Sequence, residues 1–99
     1  MFEIIWDNQA SEEFLAILEF WNNNNGTNSY SRKLFTEVKI AEELLEKHPE
    51  AGCDTNFKKV KRLIIDDNFS LFYFLSKKEK RIYILSIWDN RRNPNLLKF

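Results

Sequence analysis

Apolar side chains in the first half of the chain recur with the period of an α-helix. A short apolar run with β-branched residues, Phe2 to Trp6, favours an initial strand. Asp7 and Asn8 then offer a cap for a first amphipathic helix. The apolar face of this helix consists of Ala10, Phe14, Ile17, Leu18 and Trp21. The asparagine run Asn22 to Asn25, followed by Gly26, is expected to end the helix in a loop.

A second amphipathic helix is expected from about Ser29 to Lys47. Its buried stripe is expected to comprise Leu34, Val38, Ala41 and Leu45, with Ile40 and Leu44 widening it. Pro49 and Gly52 follow the last periodic position and end the helix. Because a short loop joins the two amphipathic helices, they are expected to form an antiparallel hairpin.

In the second half of the chain the hydrophobic period changes to that of a β-strand. From residue 60 to residue 65 the pattern has a period of two, in which Val60, Arg62 and Ile64 alternate with Lys61, Leu63 and Ile65, and this predicts one strand. An Asp-Asp-Asn turn signal occupies residues 66–68. Two strongly apolar strands, 69–76 and 82–88, then flank a charged hairpin turn at residues 77–80. This half therefore predicts three strands in sequence.

Together these elements predict one α+β domain over residues 1–99. It contains an N-terminal strand, an antiparallel two-helix hairpin and an antiparallel three-strand meander in one antiparallel sheet, with Leu71 and Leu85 in the core. The last two strands are apolar on both alternating faces, yet two helices cover only one face. The other face is therefore expected to bind a partner or to lie under the C-terminal tail, Pro94 to Phe99.

Composition excludes several classes of protein and site. The chain is 43% hydrophobic and 30% charged, as expected for a globular domain. With one cysteine, Cys53, and one histidine, His48, neither an internal disulfide nor a Cys/His zinc site is expected. Nucleophile triads and phosphate-binding glycine loops are absent, so we expect no metal and no cofactor. The chain lacks a signal peptide and an apolar run of membrane-spanning length, which favours a cytoplasmic protein without a membrane partner.

The neutral net charge hides an uneven distribution along the chain. Residues 1–50 hold four Lys or Arg and ten Asp or Glu, whereas residues 51–99 hold eleven and five. A basic half is suited to an anionic partner such as nucleic acid. The alternative is that the two halves balance each other across the folded surface.

The basic residues of the second half form two clusters that are candidates for binding a target: Lys58, Lys59, Lys61, Arg62, Arg91 and Arg92. Strand alternation would place Lys59 and Lys61 on one face and Lys58 and Arg62 on the other. Arg62 lies within an otherwise apolar strand, and either Arg91 or Arg92 could meet it at one end of the sheet. Converging guanidinium groups bind phosphate through paired hydrogen bonds. The alternative for the lysines is protection of a sheet edge against aggregation.

Several motifs together resemble one known family over essentially the whole chain. They are Trp6 and Ala10, Leu44-Leu45 with Pro49 and Gly52, Arg62, the strand from Ser70 to Leu75, and the stretch from Ile82 to Pro94. The last stretch, a hydrophobic strand that runs into Arg-Arg-x-Pro, is the most specific. With the order of elements, these motifs resemble the RelE/ParE superfamily of type II toxins.

The resemblance implies a cytoplasmic, growth-inhibiting toxin, of the kind associated with plasmid stabilization, that a cognate antitoxin neutralises. It implies an antitoxin segment wrapped around the toxin, for which the apolar sheet positions Phe72, Phe74, Tyr83 and Trp88 are the candidates. ParE-like members poison DNA gyrase. RelE-like members are metal-independent endoribonucleases that cleave mRNA on the ribosome.

Departures from the RelE-like pattern favour the ParE-like activity. Ser70 stands where RelE-like nucleases often carry an arginine, and no His or Tyr follows Tyr83 to act as acid or base. The chain is also neutral, whereas ribosome-dependent nucleases tend to be basic. If the chain is nevertheless a nuclease, its catalytic candidates are Lys61, Arg62, Arg91 and Arg92. A degenerate toxin and a non-toxic α+β module that binds nucleic acid or protein are further alternatives.

Overall fold

A computed structural model of the chain describes residues 1–24, 29–97 and 99. It confirms the predicted α+β architecture. The elements in chain order are β1 (Glu3–Trp6), α1 (Asn8–Asn24), α2 (Ser29–Lys47), β2 (Cys53–Asp54), β3 (Val60–Ile64), β4 (Phe69–Ser76), β5 (Arg81–Asp89) and a 3-10 turn (Pro94–Leu96).

The five strands form one mixed sheet in the order β1-β5-β4-β3-β2. The meander β3-β4-β5 is antiparallel as predicted, but β1 pairs with β5 in parallel, so the expectation of a wholly antiparallel sheet was wrong. Hydrophobic alternation identifies a strand without fixing the direction of its neighbour. Strand β2 was not predicted, because two residues are too short to show a period.

Helix α2 has the predicted bounds, whereas α1 extends further than expected. It continues through Asn22 to Asn24, and the hydroxyl of Ser31 donates a hydrogen bond to the side-chain oxygen of Asn22. Asn25 and Gly26, which were expected to complete the loop, lie outside the described residues. On α2, Ile40 and Leu44 are 59% and 40% exposed, so they do not widen the buried stripe as predicted.

Both helices pack on one face of the sheet, and the main core lies between the helices and this face. The helices contribute Ala10 and the predicted stripe of α2, all buried. The buried sheet residues of this core are Phe69, Leu71, Tyr73, Leu75, Ile82, Ile84 and Ile87. We call the other face of the sheet the open face. It carries a smaller cluster around Val60, Phe72 and Trp88.

A bulge in β5 interrupts the regular pairing of the last two strands. Phe72 is opposite Ser86 and Tyr73 is opposite Ile84, so Leu85 has no partner on β4. An extra residue of this kind shifts the alternation of all the side chains that follow it.

The shift decides which side chains of β5 reach the core. Regular alternation from Ile84 would leave Ile87 on the open face and turn Trp88 toward the helices. The bulge instead buries Ile87 in the main core and places Trp88 on the open face. Leu85, predicted as a core residue, is half-buried in the open-face cluster, because the alternation before the bulge points it away from the helices.

Tyr73 fixes the loop that connects α2 to the sheet. Its hydroxyl donates to the carbonyl of Pro49 at 2.8 Å and accepts from the amide of Gly52 at 2.9 Å. A β-carbon at Gly52 would lie 2.8 Å from this hydroxyl oxygen, so only glycine permits the approach. The single hydroxyl therefore sets the distance between the loop and the strand.

The C-terminal tail covers part of the open face, which is one of the two outcomes expected from the sequence. The Phe99 ring packs 4.9 Å from the ring of Phe57 and 5.5 Å from that of Phe72, measured between centroids. Leu97 packs against the same cluster. Phe72 and Trp88 are only 4% and 6% exposed. The tail thus supplies apolar cover that the helices do not provide.

The turn between β3 and β4 is bound to both α2 and the end of β5. The carboxylate of Asp66 accepts hydrogen bonds from the amides of Asn68 and Phe69 at 2.8 and 2.9 Å, and from the hydroxyl of Tyr30 at 2.8 Å. The side chain of Asn90 donates to the Asp66 carbonyl at 3.3 Å. These bonds hold the end of β5 beside the turn.

The different positions of Leu71 and Leu85 predict different costs of truncation. Leu71→Ala should lower the free energy of unfolding by about 2–5 kcal/mol, because it leaves a cavity in a fully buried site. Leu85→Ala removes the same atoms from a half-buried site and should cost less. Chemical denaturation of both variants measures the difference; equal costs would contradict the assignment of Leu85 to the open face.

Tyr30 should titrate well above an ordinary tyrosine. Burial raises the pKa of its hydroxyl from 10.0 to about 12, and the adjacent Asp66 carboxylate contributes in the same direction. Because the folded state favours the protonated phenol, this contribution to stability is complete below pH 10 and is lost as the pH rises through about 12. Phenolate absorbance should show a group titrating near pH 12 that Tyr30→Phe removes; a variant with an unchanged titration curve would refute the assignment.

Candidate functional site

Arg62 lies in the middle of β3 on the open face, where two neutral side chains hold its guanidinium group. Its Nε donates to the Ser70 hydroxyl at 3.0 Å, and its Nη2 donates to the Asn90 side-chain oxygen at 3.1 Å. The Ser70 hydroxyl also donates to that oxygen at 2.7 Å. Among the described residues no carboxylate forms an ion pair with Arg62. The guanidinium is therefore fixed in position while its charge stays uncompensated by a carboxylate.

Arg91 and Arg92 follow β5 and differ in their environments. Arg91 donates through Nε and Nη2 to the two carboxylate oxygens of Asp89, at 3.0 and 2.8 Å. This fork lowers the pKa of the Asp89 carboxyl. The Arg92 guanidinium lies 4.3 Å from the centroid of the Trp88 ring, a cation–π contact. Within the part of the chain that the structure describes, Arg92 has no ion-pair partner.

The three arginines lie at the same end of the sheet. Ser70, which binds Arg62, is directly opposite Trp88 in the pairing of β4 with β5. The Arg92 guanidinium lies on the ring of Trp88. Asn90, which accepts a hydrogen bond from Arg62, directly precedes Arg91 in the chain. We call Arg62, Arg91 and Arg92 the arginine cluster. Two of its members present unneutralised guanidinium groups, and such groups bind phosphate or carboxylate.

Lys61 does not join the arginine cluster, although it precedes Arg62 in the same strand. It is opposite Tyr73, a residue of the helix-covered core, so it lies on the other face of the sheet. Its Nζ is 2.7 Å from the carboxylate of Asp54, and this hydrogen bond raises the pKa of Lys61. A lysine held in its charged form in this way is a poor general base.

Lys58 and Lys59 are exposed and belong to the turn before β3. The strand begins at Val60, so these two lysines precede it, but they lie on different faces as the predicted alternation requires. Lys59 has a positive φ of 63°, which is a turn conformation. Lys58 lines a cavity on the open face, whereas Lys59 lines a different one beside Lys61. The two lysines are therefore separated from the arginine cluster.

The groups near the arginine cluster are poorly suited to transfer a proton. Tyr30 lies close enough to Arg91 to affect the pKa of its guanidinium, but the Tyr30 hydroxyl is bound to Asp66 and its own pKa is raised to about 12. Asp89 is bound by Arg91, which favours its ionised form. Tyr83 lies toward the opposite end of β5, where its hydroxyl donates to Glu79 at 3.2 Å. The cluster therefore has the chemistry of a binding site for anionic groups.

The four apolar positions predicted to bind an antitoxin differ in accessibility. Phe72 and Trp88 are buried under Phe99 and Arg92, as described above. Phe74 and Tyr83 are half-buried, with ring centroids 6.3 Å apart, and line an open cavity of about 710 Å³. Of the four predicted positions, a partner can therefore reach Phe74 and Tyr83, in this cavity, while the tail is in place.

A second apolar concavity lies between α1 and the end of β5, and we call it the α1–β5 groove. It has a volume of about 430 Å³. Its lining residues are Glu13, Ala16, Ile17, Phe20, Trp21, Phe69, Ile87, Asp89, Arg91 and Arg92. Sequence periodicity assigns Ile17 and Trp21 to the core and so misses the groove. The signal was Phe20, an aromatic residue outside the apolar stripe of α1.

The described residues contain no group of three or more side chains placed to hold a metal ion. None of their helices is both long enough and apolar enough to cross a membrane.

Comparison with known proteins agrees with the geometry of the fold. Residues 4–94 match the family model described as the ParE toxin of type II toxin–antitoxin system, parDE. No curated protein sequence matches the chain.

Solved structures that are similar to this chain include toxins and a toxin–antitoxin system. The chain is similar to one from the chromosomal ParDE system of P. aeruginosa, with 21% identity, a TM-score of 0.73, and coverage of 90% of this chain and 96% of that chain. A YoeB/ParE toxin from Agrobacterium tumefaciens gives 12% identity and a TM-score of 0.63, covering 89% and 98%. The E. coli DinJ–YafQ complex gives 11% identity and a TM-score of 0.61, with coverage of 90% of this chain and 93% of that chain. With a family model matched over nearly its whole length, the chain belongs to the ParE toxin family of type II toxin–antitoxin systems.

Proposed function

We propose that the chain is a cytoplasmic, growth-inhibiting toxin that acts by binding DNA gyrase, and that it contributes to plasmid stabilization. The arginine cluster is the proposed contact with the target, and Lys58, Lys59 and Lys61, which lie apart from the cluster, are proposed as additional target contacts. The observation that carries the proposal is that two guanidinium groups, of Arg62 and Arg92, are held at one end of the open face without a carboxylate partner among the described residues.

The state of the acid–base groups near the cluster supports binding rather than catalysis. Strand cleavage needs a group that protonates the leaving oxygen, and loss of such a group costs about 10² to 10⁴ in rate. Lys61 lies on the other face, and Asp89 is held ionised by Arg91. Ser70 uses its hydroxyl to fix Arg62, where an arginine would supply a second cation. Each of these features reduces catalysis and leaves binding intact.

A cognate antitoxin is the second proposed partner. Complexes are named among the similar structures, ParDE and DinJ–YafQ. On the open face, Phe74 and Tyr83 are the accessible members of the predicted antitoxin surface. Phe72 and Trp88 would become accessible only after the tail or Arg92 moves.

A metal-independent mRNA endoribonuclease is the alternative that a specific observation favours. The chain shares its fold with YafQ and YoeB/ParE toxins, and its arginine cluster has the donors that bind a phosphodiester. In that case Arg62, Arg91 and Arg92 would stabilise the transition state. A degenerate or non-toxic member would keep the fold and act on neither target.

The test measures two activities of the purified chain. We expect it to inhibit ATP-dependent supercoiling of relaxed plasmid by gyrase and to leave mRNA intact in a translating extract. Arg92→Glu should raise the concentration needed for half-inhibition by about tenfold or more, because a charged contact worth about 1.5–3 kcal/mol is lost. Arg32→Glu, an exposed change of the same charge on α2, is the matched control and should have little effect.

The alternatives give different results in the same two assays. Cuts in mRNA with a fixed codon phase, together with undisturbed gyrase, would refute the proposal and establish the nuclease. A folded chain that leaves both gyrase and mRNA unaffected would refute it in favour of a degenerate toxin or a non-toxic binding module.

A further inference from the structure

The two helices expose an apolar surface on the side of the hairpin that faces away from the sheet. Leu15 on α1 and Phe35 on α2 are 58% and 46% exposed. Two concavities, of about 420 and 380 Å³, lie between the helices, and Leu18 and Phe35 line both of them. We call this region the outer hairpin surface. A continuous apolar strip of this kind on a small domain is typical of an interface with another molecule.

The charges beside the outer hairpin surface are divided between the two helices. Helix α1 contributes carboxylates alone, and those next to this surface are Glu12 and Glu19. The facing half of α2 contributes Arg32 and Lys39, one in each concavity. Within the described part of the chain, Glu12, Glu19 and Arg32 form no ion pair. The surface therefore has one acidic side and one basic side.

Glu19 and Arg32 occur at the same level of the hairpin. The rings of Trp21 and Tyr30 pack against each other across the two helices, with centroids 4.6 Å apart, and so fix the register between them. Glu19 lies two residues before Trp21, and Arg32 lies two residues after Tyr30. Because the helices are antiparallel, the two steps lead in the same direction.

Glu12 and Lys39 are matched in the same way at the other end of the surface. Ser11, the residue before Glu12, lines the same concavity as Lys39. Lys39 also lies 3.4 Å from Glu42 on its own helix. An exposed pair of this kind contributes little and leaves the ammonium group able to bind a second carboxylate. Each acidic position of α1 beside the surface thus has a basic position of α2 at its level.

A two-fold axis parallel to the helices would bring this pattern onto itself. It would lay α1 of one molecule over α2 of a second, so that each carboxylate meets the cation at its own level, and every such contact occurs twice. Leu15 and Phe35 would meet at the centre. A partner of a single sign, such as a nucleic acid, would be attracted by one helix and repelled by the other.

We infer that the outer hairpin surface is an interface between two copies of this chain, which associate through it as a two-fold symmetric dimer. Helices of 17 and 19 residues lying side by side present an area of about 500 Å² from each molecule. The total of about 1,000 Å² is at the lower limit for a specific interface. The dimer should therefore be weak, with a dissociation constant in the micromolar range.

The dimer would leave the proposed target site of each molecule accessible. Arg62 lies on the open face, on the far side of the sheet from the helices. Arg91 and Arg92 line the α1–β5 groove, which is on the side of α1 that faces away from α2. Changes on the outer hairpin surface are therefore expected to leave gyrase inhibition unaltered.

Sedimentation velocity of the purified chain over a range of concentrations tests the inference. The mass should rise from that of one chain to that of two. Arg32→Glu and Glu19→Arg should each raise the dissociation constant about tenfold or more, because each places like charges opposite one another twice. The double variant Glu19→Arg/Arg32→Glu restores opposite charges and should recover most of the affinity. Lys33→Glu, the same change of charge on the other side of α2, should alter it by less than about twofold.

Two results would overturn the inference. One is a wild-type chain that keeps the mass of a single chain up to about 500 μM, far above a micromolar dissociation constant. The other is a dimer whose affinity neither Arg32→Glu nor Glu19→Arg changes, which would assign the interface to another surface. Circular dichroism spectra equal to that of the wild type show that the exposed substitutions leave the fold intact. Recovery by the double variant separates a direct contact from an effect on the helices, because a structural effect of either change would persist in it.

Discussion

The extra residue in β5 is the local feature on which the two faces of this sheet depend. Because Leu85 has no partner on β4, Ile87 enters the core under the helices and Trp88 turns to the open face beside Ser70. The residues that follow then reach the turn between β3 and β4, where Asn90 accepts a hydrogen bond from Arg62. A strand without this bulge would place Trp88 in the helix-covered core, and Arg92 would lose the ring on which it lies.

The same geometry leaves surfaces of different charge and polarity accessible on the molecule. Two helices cover one face of the sheet, and a short tail anchored by Phe99 covers part of the other. The surfaces left accessible around the sheet are the arginine cluster at one end of the open face, the cavity beside Phe74 and Tyr83, and the α1–β5 groove. The arginine cluster and the groove meet at Arg92, which belongs to both.

The pattern of apolar residues predicted the bounds of the longer helices and strands well where that pattern is regular or clearly delimited. Helix α2 has the predicted bounds because it buries one regular set of side chains, and strand β4 has them because turn signals stand at both ends of its apolar run. The bulge in β5 was missed, because a continuous apolar sequence such as Ile82 to Trp88 fits either face equally well. The sequence also identified the cationic residues of the site. Strand alternation placed Lys61 and Arg62 on opposite faces, but it could not show their different partners, since Asp54 and Asn90 come from other parts of the chain.

Growth of cells that express the chain without an antitoxin tests the central claim most directly, namely that the arginine cluster is the working part of a toxin. The account predicts that induction of the wild-type chain stops colony formation and that Arg62→Gln restores it by several orders of magnitude at equal amounts of folded protein. Arg81→Gln, an exposed change at the other end of β5, should stay as toxic as the wild type. Normal growth with abundant folded wild-type chain, or undiminished toxicity of Arg62→Gln, would contradict the account.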